Sequence, residues 1–170
     1  MLVLKPGDDI VVLPSGLKSK IKSIETMNEK LEEAFPPMAV AIQLEDEIDI
    51  SRGDMLASPG EVMPKIAQEI DTMVCWMNQK PLQVGAKYHL RHTTNDVKCI
   101  VTKVDYKVDI NSFETHPDDL EVGLNDIARV TIRTTKPLVF DDYKRNRITG
   151  SVILVDEGSN ETVAAGMLLC

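Results

Sequence analysis

The chain has 170 residues, of which 43% are hydrophobic, 27% charged and only 4% aromatic, and its net charge is −8. That length suits one ordinary domain or two small barrels, each with a modest core. No window approaches 18 consecutive apolar residues, so no membrane-spanning helix is expected, and no basic start followed by an apolar stretch marks a secretory signal. Residues 1–60 carry 6 basic and 11 acidic side chains, hence −5, and the remainder 13 and 16, hence −3. Neither half offers the basic platform that neutralises nucleic-acid phosphates. Cys75, Cys99 and Cys170 are widely spaced and include no C-x-x-C pair, which reads as reduced, buried thiols rather than disulfides or a zinc knuckle.

In chain order, turn signals recur every roughly 8–12 residues, the rhythm of all-β sandwiches and barrels. Lys5-Pro6-Gly7-Asp8-Asp9 is a turn leading into a strand at 10–13, and Pro14-Ser15-Gly16 is the next turn. Residues 17–27 follow as a strand in which Ile21 and Ile24 stand three apart. A regular strand would send them to opposite faces, so a bulge between them is required if both reach the core. A strand at 39–44 ends in the acidic turn Glu45-Asp46-Glu47, and residues 50–56 form a turn and a final strand. Two stretches carry helical spacing. Residues 27–35 place Leu31, Ala34 and Phe35 on one side before Pro36-Pro37 stops the pattern, and residues 61–71 lie among Pro59, Gly60 and Pro64. The second reads as a linker with at most a short turn.

The β pattern then restarts, with strands at 70–77, 86–93, 97–108 and 125–135 and a polar loop at 111–121 that holds His116-Pro117-Asp118-Asp119. The alternation of Ile127, Val130 and Ile132 has one irregular step. From Leu138 a charged loop runs to Gly150, followed by a strand at 151–155, the turn Asp156-Glu157-Gly158-Ser159-Asn160 and a small-residue strand at 162–168. The expected organisation is a first barrel over 1–58, a linker at 59–65 and a second barrel over 66–170.

Chemical candidates resolve into ordinary surface or packing. His89 and His92, three apart on a strand, face opposite sides and cannot share a metal. His116 lacks a nucleophile or a second base. Asp141-Asp142 and Asp156-Glu157 lie in different loops with Lys144 and Arg145 between them, which favours salt-bridged surface over a cation site. Trp76 with Met73 and Met77 reads as core or a domain contact.

Particular wording carries more than periodicity does. The opening KPGDDIVVLPSG and the segment Ser51-Arg52-Gly53-Asp54-Met55-Leu56 resemble the second domain of translational GTPases. The stretches 13–24 and 44–54 are similar to the sulfate-activation branch of those proteins. So is the terminal block Asp142-Tyr143, Asn146-Arg147-x-Thr149-Gly150, ILVD and TVAAGM. The chain thereby resembles the second and third domains of the large subunit of bacterial sulfate adenylyltransferase. The resemblance implies two elongation-factor-like barrels, the first truncated at its N-terminus and open to self-association along a sheet edge. It also implies a cytoplasmic location and a chain without catalytic, nucleotide-binding or metal-binding residues. GTP and magnesium would belong to an upstream GTPase domain, and a separate small subunit would perform the adenylyl transfer. The alternative is a translation elongation factor fragment that binds aminoacyl-tRNA, against which the acidic balance and the terminal block argue.

Tyr143, Arg145, Asn146 and Arg147 are the candidate partner-facing residues, being of types common at interfaces or singled out by the resemblance. A structural reading stands beside this one: Gly150 supplies a positive φ and Asn146 hydrogen-bonds nearby backbone. No G-x-x-x-x-G-K-[ST] phosphate loop or N-K-x-D motif occurs, and Gly16-Leu17-Lys18-Ser19 only echoes the first. The chain alone is therefore expected not to bind GTP, and calorimetry checks this. Heat consistent with stoichiometric micromolar binding would contradict it.

Overall fold

β-Branched and other aliphatic residues alternate with polar or charged ones in many stretches of the chain, and such sequences bury one face of a pleated strand. The computed structural model describes residues 3–27, 29–60 and 62–170, and no helix forms among them. Met1, Asn28 and Glu61, which bound or interrupt stretches read above, lie outside the described residues. The chain divides after Pro64 into two units.

The first unit contains β1 (Asp9–Leu13), β2 (Leu17–Glu25), β3 (Lys30–Leu31), β4 (Ala41–Leu44) and β5 (Met55–Ala57). They form an antiparallel sheet in the order β3-β2-β1-β5, with β4 also on β2. Ile10, Val12, Ile21 and Ile24 make its core, each at most 1% exposed. The bulge that the Ile21–Ile24 spacing demands is present, since the β2–β4 register shifts between Ile21 and Ser23. It turns both isoleucines to one face.

The stretch 27–35 is not helical. Leu31 pairs with Ile24 across β3–β2, Ala34 bridges Leu4, and Phe35 is 43% exposed. Pairing with an existing sheet edge overrides a weak helical preference that only two turns could express.

The second unit contains β6 (Lys65–Trp76), β7 (Lys87–His92), β8 (Asn95–Val108), β9 (Thr115–His116), β10 (Ile127–Phe140), β11 (Ser151–Asp156) and β12 (Thr162–Leu168). All pairings are antiparallel, in the order β10-β6-β12-β11-β7-β8-β9. A further ladder from β8 to β10 closes six of these strands into a barrel. Closure joins the two strands that would otherwise end the sheet. Inside lie Trp76, Leu90, Ile132, Leu138, Phe140, Leu154 and Leu168, all at most 2% exposed. Trp76 meets Tyr88 edge to face, with ring centroids 5.9 Å apart, and its indole N–H donates to the Lys80 carbonyl at 2.8 Å. This disposes of the last polar atom of the largest core side chain.

Several expectations are corrected here. Residues 65–69, where at most a short turn was expected, are the first part of β6, because Ile66 and Ala67 pair with Val139 and Leu138 on distant β10. The inward row of β10 is Ala128, Val130, Ile132 and Thr134, so Ile127 belongs to the opposite face, which accounts for the irregular step. Residues 138–140 are buried strand rather than loop. His116 sits in β9, opposite Lys107, where an open loop was expected. Only Cys99 is a buried thiol; Cys75 is half-buried and Cys170 exposed. Burial pushes the Cys99 thiol up to about 12, well outside the reactive range.

Charged residues knit the barrel exterior. Arg129 on β10 donates to Asp71 on β6 at 2.8 Å, and Thr131 donates to the other carboxylate oxygen at 3.1 Å. The Arg129 guanidinium holds the Asp71 carboxyl below the usual range. Lys107 on β8 reaches Asp119 at 2.7 Å and Asp126 at 3.1 Å, tying the acidic segment before β10 to the barrel wall.

Candidate functional site

β10 and β11 are joined by residues 141–150, the segment that holds all four candidate partner-facing residues. A ten-residue charged loop would ordinarily be mobile. Here it is braced at both ends by core strands. Tyr143 N–H donates to the Leu168 carbonyl at 3.0 Å, and Leu168 N–H donates to the Gly150 carbonyl at 2.8 Å. β12 thus holds the start and the finish of the loop together.

Asp142 is the hub. Its carboxylate accepts from the Lys144 amide at 2.8 Å and the Cys170 amide at 3.1 Å. Its main-chain carbonyl accepts from Arg145 at 2.9 Å and Asn146 at 3.0 Å. The amides of Cys170 and Lys144 lower the pKa of this carboxyl, because they favour its charged form.

The second corner belongs to Asn146. Its side-chain oxygen accepts from the Ile148 amide at 3.1 Å, and its carbonyl accepts from the Gly150 amide at 2.8 Å. Gly150 itself corrects an expectation, since positive φ is found at five other glycines and not there. Its requirement is space: a Cβ would stand 2.5 Å from Tyr143 Cα and 2.7 Å from the Asn146 carbonyl oxygen. Both obstacles are backbone, so no side-chain rotation could relieve the clash.

Asp141, 9% exposed, accepts from the Thr149 hydroxyl at 2.6 Å and pairs with Arg145 at 3.5 Å. The Thr149 carbonyl in turn accepts from His92 Nε2 at 2.7 Å. A carbonyl can only accept, so the imidazole carries its proton on Nε2. His92 is fully buried at the end of β7, and its Nδ1 has no hydrogen-bond partner among the described residues. His89, on the opposite face of β7, pairs instead with Asp96 at 2.8 Å.

The four candidates therefore divide. Asn146 is spent on backbone and Arg145 reaches back to Asp141, whereas Arg147 lies over the Tyr143 ring at 6.0 Å and is exposed. Beside it stands Ile148, 77% exposed, which the sequence reading passed over. The available signal was one aliphatic residue amid charged neighbours, immediately before Thr149-Gly150. Arg147, Tyr143 and Ile148 bring a cation, an aromatic ring and an aliphatic side chain together on a braced loop. That combination suits protein contact rather than bond-making chemistry. Among the described residues no cluster of three or more His, Cys, Asp or Glu could hold a metal ion.

The second unit is a closed six-stranded antiparallel barrel, and the match of its residues to a family model assigns it to the translation-factor-type barrels. The family model for the GTP-eEF1A C-terminal domain-like proteins matches residues 69–169, and the chain belongs to that family. Solved structures of Sup35 with GDP and with GMPPNP share the fold, each with a TM-score of 0.85 at 16% identity. They match 99% and 98% of this chain, respectively, and it covers 41% of each of those chains.

Among curated relatives, the bifunctional enzyme CysN/CysC of Mycobacterium tuberculosis is 45% identical over 168 residues. Sulfate adenylyltransferase subunit 1 of Shewanella oneidensis is 45% identical over 171 residues, and that of Bacteroides thetaiotaomicron 40% over 175. Each alignment covers 98% of this chain, which spans only 27%, 35% and 36% of those proteins, respectively. The resemblance seen in the sequence to the sulfate-activation branch is thus borne out.

His92 generates a pH prediction. Burial lowers its pKa from the ordinary value near 6.5, so the unfolded chain takes up this proton more readily than the folded one. Its contribution to stability is present above about pH 6.5 and is lost as pH falls, by at most about 1.4 kcal/mol per pH unit. His92→Gln removes the titration, so urea unfolding at about pH 7 and pH 5 should show a shallower pH slope in the variant. Equal slopes would contradict the assignment.

Proposed function

We propose that this chain is the two-barrel portion of a GTP-dependent sulfate adenylyltransferase large subunit. In this reading an upstream domain of the same polypeptide binds GTP with magnesium. A separate small subunit converts ATP and sulfate to adenosine 5′-phosphosulfate and pyrophosphate. The present chain supplies no reacting group. The chain couples the GTPase domain to the partner, and the 141–150 loop is the docking element.

The observation that carries the reading is the 40–45% identity running through 98% of the chain, across both units, to proteins named for sulfate activation. The loop geometry supports docking. A braced backbone loses little freedom on binding, and Arg and Tyr are enriched among residues whose truncation costs most.

The experiment is a binding measurement between this chain and the small subunit of a sulfate adenylyltransferase. Concentration-dependent binding is expected, weakened roughly tenfold or more by Tyr143→Ala with Arg147→Glu. Absence of binding together with tight binding of aminoacyl-tRNA would overturn the reading. Unchanged affinity in the double variant would move the docking element away from the loop.

A further inference from the structure

The chain is acidic overall, at −8, yet one face of its barrel gathers cations around an apolar side chain. Ile100 on β8 stands opposite Lys87 on β7 and opposite Arg133 on β10. Residues directly paired across strands share a face, so the three form one outward row. The next pairings, Cys99 with Tyr88 and with Thr134, are buried and belong to the inward row.

The ladder between β8 and β10 ends at this point, with Cys99 opposite Thr134. β10 is also irregular against β6 between Arg133 and Leu138, around Pro137, which has no amide hydrogen to give. Residues 96–98 are consequently paired with β7 alone among the described residues. Where the strands part, a groove of about 550 Å³ opens, with Lys87, Lys98, Ile100 and Arg133 along it. Lys98 is engaged with Glu157 at 2.6 Å, while neither Lys87 nor Arg133 is in an ion pair among the described residues. Lys87 also acts on the Glu157 carboxylate through space, so two cations outside any ion pair flank an apolar contact beside a strand segment that is paired on one side only.

We propose that this groove docks an extended acidic segment of a partner protein, with carboxylates on Lys87 and Arg133 and an apolar side chain against Ile100. A polypeptide fits better than a small anion, because a phosphate needs converging donors, whereas here the cations are separated by a hydrocarbon side chain. An extended chain can use the open edge at 96–98 as well. A nucleic acid fits worse, since the groove offers no aromatic side chain on which a base could stack, and Glu157 lines it. The surface is separate from the 141–150 loop, and its partner contact does not depend on the function proposed above.

The test uses the full chain labelled with nitrogen-15 and a capped heptapeptide of alternating glutamate and valine. The matching lysine-valine peptide, an oligouridylate and inorganic phosphate serve as comparison probes. The expected result is amide shifts concentrated at Lys87, 98–100 and 133–135 with the acidic peptide. Affinity should fall with added salt and by roughly tenfold or more in K87E/R133E. Should that pair fail to fold, K87A/R133A gives the same reading with a smaller loss. No shifts at about 1 mM peptide, near the weakest useful affinity, would overturn the proposal. So would equal response to the lysine peptide, tighter binding of the oligouridylate or phosphate at the same amides, or undiminished affinity in a folded double variant.

Discussion

The antiparallel ladder between β8 and β10 is the constraint on which the second unit depends. Without it, β10-β6-β12-β11-β7-β8 would be an open sheet with a face to cover and edges to protect. With it, the inward residues of six strands meet one another, and Trp76, Ile132, Leu154 and Phe140 are removed from water. Burial of that kind is the main favourable contribution to folding, at about 25 cal/mol per Å² of apolar surface. Closure also decides which side chains are left outside. Asp71, Arg129 and Thr131 become one cross-strand cluster because β6 and β10 are neighbours.

The 141–150 loop inherits its order from the closed wall. β12 grips it through Tyr143 and Gly150, the backbone N–H of Cys170 donates to Asp142, and His92 reaches Thr149 from β7. Two separate parts of the chain, residues 168–170 and His92 on β7, therefore converge on ten residues. Local bonding by Asn146 and the close approach at Gly150 complete the shape. The result is a charged loop that presents Arg147, Tyr143 and Ile148 without the entropic penalty of ordering a mobile segment. This is a mechanical property, compatible with a docking role and independent of any reacting group.

Much of this was legible in the residues. Turn clusters and period-two alternation gave an all-β chain, and the spacing of Ile21 and Ile24 demanded a bulge that is present. The opposite facing of His89 and His92 also followed from strand geometry. What escaped depended on partners far along the chain. Lys65–Glu69 has no periodicity of its own and becomes strand only by lying against β10. Residues 27–35 have helical spacing but are recruited by β2 and by Leu4. Gly150 advertised conformational freedom, yet what it provides is room for the Tyr143 backbone, a fact that no local pattern encodes. His89 and His92 read alike as ordinary surface or packing histidines, and the grip of His92 on Thr149 spans 57 positions and left no trace in the sequence.

The central claim is that the candidate docking loop is part of the barrel rather than an appendage to it. Hydrogen exchange of individual backbone amides tests this most directly, because protection reports the free energy of opening each bond. The amides of Tyr143, Gly150 and Leu168 should exchange as slowly as those in the middle of β10, through global or near-global unfolding. Exchange of Tyr143 and Gly150 at rates typical of an open loop, with β10 still protected, would contradict the account.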